Sequence, residues 1–342
     1  MFWWIFLAAF GLVTVILLLL YLFRYEPTNF KLSNISINID VGTVPGQAEE
    51  QKRKTPILKI LHLSDFHLRK GFKGGRLFDF VQSLAGEEYD LIFMTGDMVE
   101  NLENVDYLIS MLKPLEAKYG KYAVLGVHDH YNKAFYEFAK NMFKRKRGYS
   151  VRNDSRILRS KLNQIGVEIL ENENRILKIP GLPAGRLEII GIGDPVIKRI
   201  DLYKAFKDID PLKKEEIVDH TNYEQSCRET FRQPGEPLHM INDPEKLRII
   251  LMHTPDAWVL STIAKKNTDI VFAGHTHGGQ VRLPFIGAII SGCRIKTRFA
   301  SGLFYFNNMV LYISRGLGEG RYSQFRFYCP PEASIVTINR IT

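Results

Sequence analysis

The sequence predicts an α/β domain behind one N-terminal membrane-spanning helix. Three observations carry that expectation. Phe2 to Phe23 is an almost unbroken apolar run. From Ile57 onward, short hydrophobic runs follow the order strand, turn, helix, strand. Several of those runs stop at small motifs of Asp, Gly and His: Asp65-Phe66-His67, Gly96-Asp97, Gly126-Val127-His128-Asp129, His253 and Gly274-His275-Thr276-His277. The chain of 342 residues is long enough for one large domain plus an appendage, and 45% hydrophobic residues allow a sizeable core.

The apolar run comes first. Its 22 residues, at about 1.5 Å each, reach roughly 33 Å as a helix, enough to cross a bilayer. A cleaved signal peptide would need a basic leader and a small-residue cleavage site, and neither is there. Trp3, Trp4, Tyr21 and Tyr25 stand near its two ends, as interface anchors do. No Lys or Arg precedes the run, whereas Arg24, Lys31, Lys52, Arg53 and Lys54 follow it. The positive-inside rule then puts the rest of the chain in the cytoplasm.

Residues 1–25 therefore read as the anchor, 26–56 as a linker with an edge strand over 31–41, and 57–342 as the domain. Strands are expected over Ile57–Leu63, Leu91–Thr95, Tyr122–Leu125, Leu187–Ile192, Leu247–Met252, Ile270–Ala273, Val310–Ser314 and Ser334–Asn339. Arg76 to Ala85 reads as an amphipathic helix, with Leu77, Phe80, Val81 and Leu84 on one face. Two insertions interrupt the pattern. Residues 133–161 hold ten Lys or Arg against two acidic residues, with Phe135, Phe138, Met142 and Phe143 between them. Such a basic, aromatic stretch fits anionic headgroups or substrate, or equally a solvated helix face. Residues 198–246 form a second, charged insertion.

The net charge of +9 calls for an anionic partner: a membrane surface, a nucleic acid or a phosphorylated substrate. The basic residues gather in one insertion beside aromatics, which argues against nucleic acid. Cys227, Cys293 and Cys329 are odd in number and widely spaced, so a reducing compartment fits better than a disulfide framework.

Five of the nine histidines fall in the motifs. A lone strand-end histidine is usually structural, so it is the ordered set that matters. Asp65 and His67 are two apart at a strand end, where alternation lets both face one ion, and His275 and His277 repeat the spacing. Asp97 follows a glycine, which lets its carboxylate reach between two ions. A mixed Asp/His set suits Mn, with Fe or Zn as alternatives, better than Ca or Mg. Two such ions can clamp a phosphoryl group and activate a water. The leaving oxygen then needs a proton, and His128 is the candidate donor.

In this order the motifs resemble the calcineurin-like metallophosphoesterase superfamily, over about residues 57–340. His253-Thr254-Pro255-Asp256 and Ala273 through Gln280 resemble a branch with membrane-associated bacterial phosphodiesterases and the UDP-2,3-diacylglucosamine diphosphatase of lipid A synthesis. The resemblance implies a four-layer αββα sandwich with two mixed sheets and metals at the strand ends. It implies Asp65, His67, Asp97 and His277 on the first metal, and Asp97, His253 and His275 on the second, with Asp97 bridging. His128 would act on the leaving group. Gly278 and Gly279 would admit an anion, with Arg282 and Arg315 reaching its phosphate oxygens; Arg294, Arg298 and Arg321 are further candidates. Gly316 to Gly320 would be a loop near the site. The implied partners are a membrane and an anionic lipid-linked phosphoester.

The family normally has asparagine before the histidine, as a ligand of the second metal. Here Val127 stands there and can neither coordinate nor donate a hydrogen bond. Three outcomes are open: a weakened second metal site with Asp129, His130, Asn132 or water filling in; altered metal dependence; or an inactive metal-binding membrane scaffold. The functions to weigh are UDP-2,3-diacylglucosamine hydrolysis, a broad cell-envelope phosphodiesterase, and that scaffold.

Overall fold

The computed structural model describes residues 2–40, 54–132, 152–217, 231–232, 238–320 and 323–341. Two sheets of seven strands each lie face to face. The first has the order β5-β4-β3-β2-β16-β1-β9. It is built from β1 (Lys31–Asp40), β2 (Lys54–Leu63), β3 (Leu91–Thr95), β4 (Lys121–Val124), β5 (Val167–Ile169), β9 (Leu238–Met240) and β16 (Glu332–Ile341). The second has the order β6-β7-β10-β11-β15-β14-β8. Its strands are β6 (Glu173–Lys178), β7 (Arg186–Gly191), β8 (Phe231–Arg232), β10 (Leu247–Leu251), β11 (Ile270–Ala273), β14 (Gly302–Phe306) and β15 (Met309–Ile313). Both are mixed: β2, β3, β4 and β5 run parallel, and β16 pairs antiparallel with β2. In the second sheet β7, β10, β11 and β15 are parallel while β14 turns back against β15.

Three cores follow from this stacking. Ile60, Phe93 and Val124 of the first sheet meet Ile249, Phe272 and Tyr312 of the second between the sheets. Helices Phe72–Gln82, Val105–Leu112 and Ser155–Gln164 cover the outer face of the first sheet through Leu77, Leu108 and Leu158. Helices Leu202–Phe206 and Ala257–Ala264 cover the outer face of the second through Phe206 and Leu260. The result is the expected four-layer sandwich. Residues of β3, β10 and β15 are buried along the whole strand, which is why these strands read as unbroken apolar runs: both faces are covered.

The stretch 26–56, expected as a linker with an edge strand over 31–41, contributes that strand to the first sheet as β1. That strand pairs with β16 over all ten residues and with β9 over Asn38–Asp40, so it is an edge only along its first part. The aromatic part of the basic insertion lies outside the described residues. Its end, 155–161, belongs to the packed helix Ser155–Gln164, with Leu158 and Leu162 fully buried.

The N-terminal helix Phe2–Leu20 is exposed throughout and continues through irregular turns to Thr28. It is long and apolar enough to cross a membrane. Its base is tied to the domain. The Arg326 amide donates to the Leu22 carbonyl (3.1 Å), the Cys329 amide donates to Glu26 (2.7 Å), and the Tyr21 and Phe327 rings meet edge to face.

Candidate active site

Six strands point their C-terminal ends at one spot between the sheets, the usual place for a ligand in open α/β sheets. β2 leads to Asp65 and His67, β3 to Asp97, β4 to His128, β10 to His253, and β11 to His275 and His277. β15 leads to Arg315 and the glycine loop. Backbone hydrogen bonds lace the loops together. Asp65 N–H donates to Gly96 O (3.0 Å), His67 N–H to Asp97 O (2.9 Å), and Gly318 N–H to Asp65 O (2.7 Å).

Five of the six candidate metal ligands have positive φ: Asp65 (50°), His67 (42°), Asp97 (50°), His275 (70°) and His277 (50°). Each such non-glycine conformation costs on the order of 1–3 kcal/mol and persists only where the surroundings enforce it. Glycines make the crowding tolerable. A Cβ at Gly126 would lie 2.3 Å from Asp97 Oδ1, and one at Gly274 would lie 2.0 Å from Ser64 Oγ.

The four candidate ring ligands share one design. His67 turns Nδ1 to Glu100 Oε1 (2.6 Å), His253 turns Nδ1 to Thr95 O (2.8 Å), His277 turns Nδ1 to Gly318 O (3.2 Å), and His275 turns Nε2 to Gly292 O (3.4 Å). An acceptor behind one nitrogen keeps the proton there and leaves the other as a bare lone pair. Those lone pairs converge: His67 Nε2 is 3.1 Å from His277 Nε2, and His275 Nδ1 is 3.2 Å from His253 Nε2. Facing nitrogens repel unless a proton or a cation lies between them, so this donor set fits a bound metal. Asp65, His67 and His277 form one cluster and Asp97, His253 and His275 another. Asp97 Oδ2 stands 3.5 Å from His67 Nε2 and 3.2 Å from His253 Nε2, in reach of both.

The electrostatics agree with a site built for positive charge. Burial opposes a proton on His253, but Asp97 and Asp65 outweigh it and hold its pKa well above the usual range. Burial, with His67 and Arg326 nearby, keeps His277 well below its usual range and neutral. Burial would raise Asp97, and the facing His253 and His128 more than offset that, leaving it well below a normal carboxylate.

His128 has a ligating atom in a third cluster, with His67 and Asp97. Its amide donates to Asp97 Oδ1 (2.8 Å), and its Nδ1 is 3.3 Å from Glu100 Oε2. Val127 opens the short helix Val127–His130 and is buried. Two of the neighbours expected to fill its gap are committed elsewhere. Asp129 accepts from the amides of Met98 (2.8 Å) and Gly126 (2.9 Å). His130 turns Nε2 to Glu171 (3.3 Å).

Of the candidate substrate residues, Gly278, Gly279 and Arg282 follow His277 directly, and Arg315 follows β15. A Cβ at Gly278 would meet Cys329 Sγ and Arg315, and one at Gly279 would meet Ala288. Arg282 donates to Gly278 O (3.0 Å), and Arg315 pairs with Glu332 (3.0 Å). Arg294 and Arg298 are exposed; Arg321 lies outside the described residues.

Two residues escaped the sequence reading. Glu100 is buried and links His67, His128 and Arg69. Its spacing, three after Asp97, was the available signal. Arg326 is fully buried and donates to the carbonyls of Arg315 (2.9 Å), Gly316 (3.2 Å), Gly318 (2.6 Å) and Cys329 (3.1 Å). Nothing in sequence separates it from a surface arginine.

Comparison with known proteins follows the same lines. The family model for calcineurin-like phosphoesterases matches residues 58–279. The chain is 26% identical to the Bacillus subtilis metallophosphoesterase YkuE, over 82% of this chain and 78% of that protein. It is 26% identical to the UDP-2,3-diacylglucosamine pyrophosphatase LpxG of Chlamydia muridarum, over 82% and 83%. It is 23% identical to the phosphodiesterase YaeI of Escherichia coli, over 82% of both. The sandwich, the converging ligands and a match spanning most of the domain lead to one assignment: this chain belongs to the calcineurin-like phosphoesterase family of metal-dependent hydrolases.

Proposed function

We propose that the chain is a membrane-anchored two-metal hydrolase of a phosphodiester or diphosphate bond, with UDP-2,3-diacylglucosamine as its substrate. UMP and the acylated sugar 1-phosphate would be the products. The observation that carries the chemistry is the pair of ligand clusters on either side of Asp97. Asp65, His67, Asp97 and His277 would hold one ion and Asp97, His253 and His275 the other, with manganese favoured. When bound, such ions clamp phosphoryl oxygens and lower the pKa of a coordinated water. The chain's own part is to orient the phosphoryl group, with Gly278, Gly279, Arg282 and Arg315 beside it. His128, backed by Glu100, supplies a proton to the leaving oxygen.

The lipid-linked substrate is supported by two things. LpxG of Chlamydia is named for that hydrolysis. A cavity of about 350 Å³ is lined by Phe23, Arg24 and Phe72 at the helix base and by His67, Arg69 and Lys73 toward the ligands. Apolar walls with Arg24, Arg69 and Lys73, the last paired with the acidic lining residue Glu319, suit an acylated phosphoester. The positive residues after the helix support a cytoplasmic domain.

The test is to incubate the purified full chain with manganese and UDP-2,3-diacylglucosamine and to follow UMP release. If that substrate survives while simple phosphodiesters are cleaved, the reading passes to a broad cell-envelope phosphodiesterase. Absence of turnover with at most one bound metal by mass spectrometry points to the scaffold that Val127 leaves open.

A further inference from the structure

Strands β12 (Arg282–Leu283) and β13 (Gly287–Ala288) form a small hairpin directly after the His275–Gly279 loop. Its outer surface is apolar and exposed: Leu283, Phe285, Ile286, Ile289 and Ile290 all face solvent. Phe285, at the tip, is fully exposed and adopts φ 67°. A bulky residue is unfavourable there and a glycine would suit the turn, so neither turn formation nor packing within the domain explains the phenylalanine.

We infer that this hairpin is a membrane-seated wedge, and that its partner is the bilayer beside the N-terminal helix. The inference rests on reading Phe2–Leu20 as an anchor. The hairpin is continuous with the base of that helix. Arg282 N–H donates to Phe327 O (2.9 Å), and Phe327 N–H donates to Gln280 O (3.0 Å). The Phe327 ring in turn packs on Tyr21, where the apolar helix ends. A helix leaving the domain at Tyr21 into a bilayer therefore brings the hairpin to the same surface. The flanking charge fits: exposed Arg294, Lys296 and Arg298 follow the apolar tip, and residues 281–318 contain no Asp or Glu. Apolar side chains rimmed by cations are the pattern of an interfacial segment on anionic lipid.

Seating has a consequence for the site. A Cβ on Gly279 would lie 2.5 Å from Ala288 Cβ, and His275 Nε2 is 3.4 Å from Gly292 O, so the hairpin is packed against the ligand loop. The wedge holds that loop at headgroup level, where a phosphoester carried by a lipid would meet it.

The experiment uses the full chain in vesicles of phosphatidylcholine and phosphatidylglycerol. Trp3 and Trp4 are replaced by Phe, and Ile286→Trp is added to that background, which retains Trp258. The added fluorescence should be blue-shifted and quenched about twofold or more when the acyl chains are brominated. An Ile286→Trp signal that stays water-like and unquenched overturns the wedge. So does crosslinking at position 286 that joins two copies of the chain without quenching. Separately, Phe285→Glu with Ile286→Glu should leave turnover of the water-soluble bis(4-nitrophenyl) phosphate within about twofold. Turnover of a vesicle-embedded substrate should fall about tenfold. Equal rates on both substrates relative to the parent overturn the link to the site. Quenching without any cleavage of lipid-linked substrate keeps the wedge and overturns the proposed substrate, so the two failures are distinct.

Discussion

Glu100 shows how one side chain can set the site. Burial would raise its carboxyl, but the facing His128 and His67 rings outweigh burial and hold it well below the usual carboxylate range. It stays ionised and keeps the His67 proton on Nδ1, with Nε2 free for an ion. Glu100→Gln should weaken metal binding and turnover about 10- to 100-fold, read by metal titration and steady-state kinetics. Unchanged metal affinity would mean that the carboxylate only packs. Val127 is the converse case, an apolar group where the family resemblance implies a metal ligand. Val127→Asn should tighten the weaker of two ions about tenfold, counted by mass spectrometry after dialysis against graded chelator. An unaltered count would show that the site does not need that position. The convergence of the candidate ligands was legible because Asp-x-His and Gly-His-x-His place potential metal donors where an apolar strand ends. Glu100 was not, because a single acidic residue three positions after Asp97 looks like any turn carboxylate until His67 and His128 are seen against it.

Loops, not strands, carry the precision of the site. Runs such as Leu91–Thr95 and Ile270–Ala273 were readable to the residue because both faces are buried. The strand β6 was missed because its exposed, charged pattern Glu-Asn-Arg-Ile-Leu-Lys has no apolar alternation. β1 was readable as a strand over 31–41 from its alternation, but its place inside the sheet was not, because its partner β16 lies some 300 residues later in sequence. The loop contacts were likewise invisible, since they join residues far apart in the chain. Gly126 is the sharpest example. Its φ of −103° is ordinary, so the need for glycine comes only from Asp97 approaching it. Gly126→Ala should displace the Asp97 carboxylate and lower turnover on the order of 100-fold. Thermal unfolding of the metal-free protein should move far less. A variant that keeps full activity would show that the loop can yield without moving Asp97.

At the scale of the molecule, the two sheets press a polar chain into their shared core. His62 lies fully buried between Phe272 and Tyr312. Ser64 Oγ donates to Asp65 (2.5 Å), and Thr95 Oγ1 donates to Ser64 Oγ (2.7 Å). Thr95 must therefore accept from His62 Nε2–H at 2.8 Å. That leaves His62 Nδ1 as the only place for a second proton, and it has no hydrogen-bond partner among the described residues. Burial accordingly pushes the His62 pKa from 6.5 to about 3. The folded value is depressed, so the neutral ring's contribution is intact above pH 6.5. It is lost progressively as pH falls toward about 3, because the unfolded chain takes up the proton first. The slope is about 1.4 kcal/mol per pH unit, which amounts to about 2 kcal/mol between pH 7 and pH 5. His62→Gln removes this titration. Urea unfolding of the two proteins in the same detergent, at pH 7 and pH 5, should show the parent losing about 2 kcal/mol more than the variant. Other titrating groups are shared and cancel in the difference. Parallel losses would mean that the two sheets part enough for water to reach His62, and that the seam between them is softer than its packing implies.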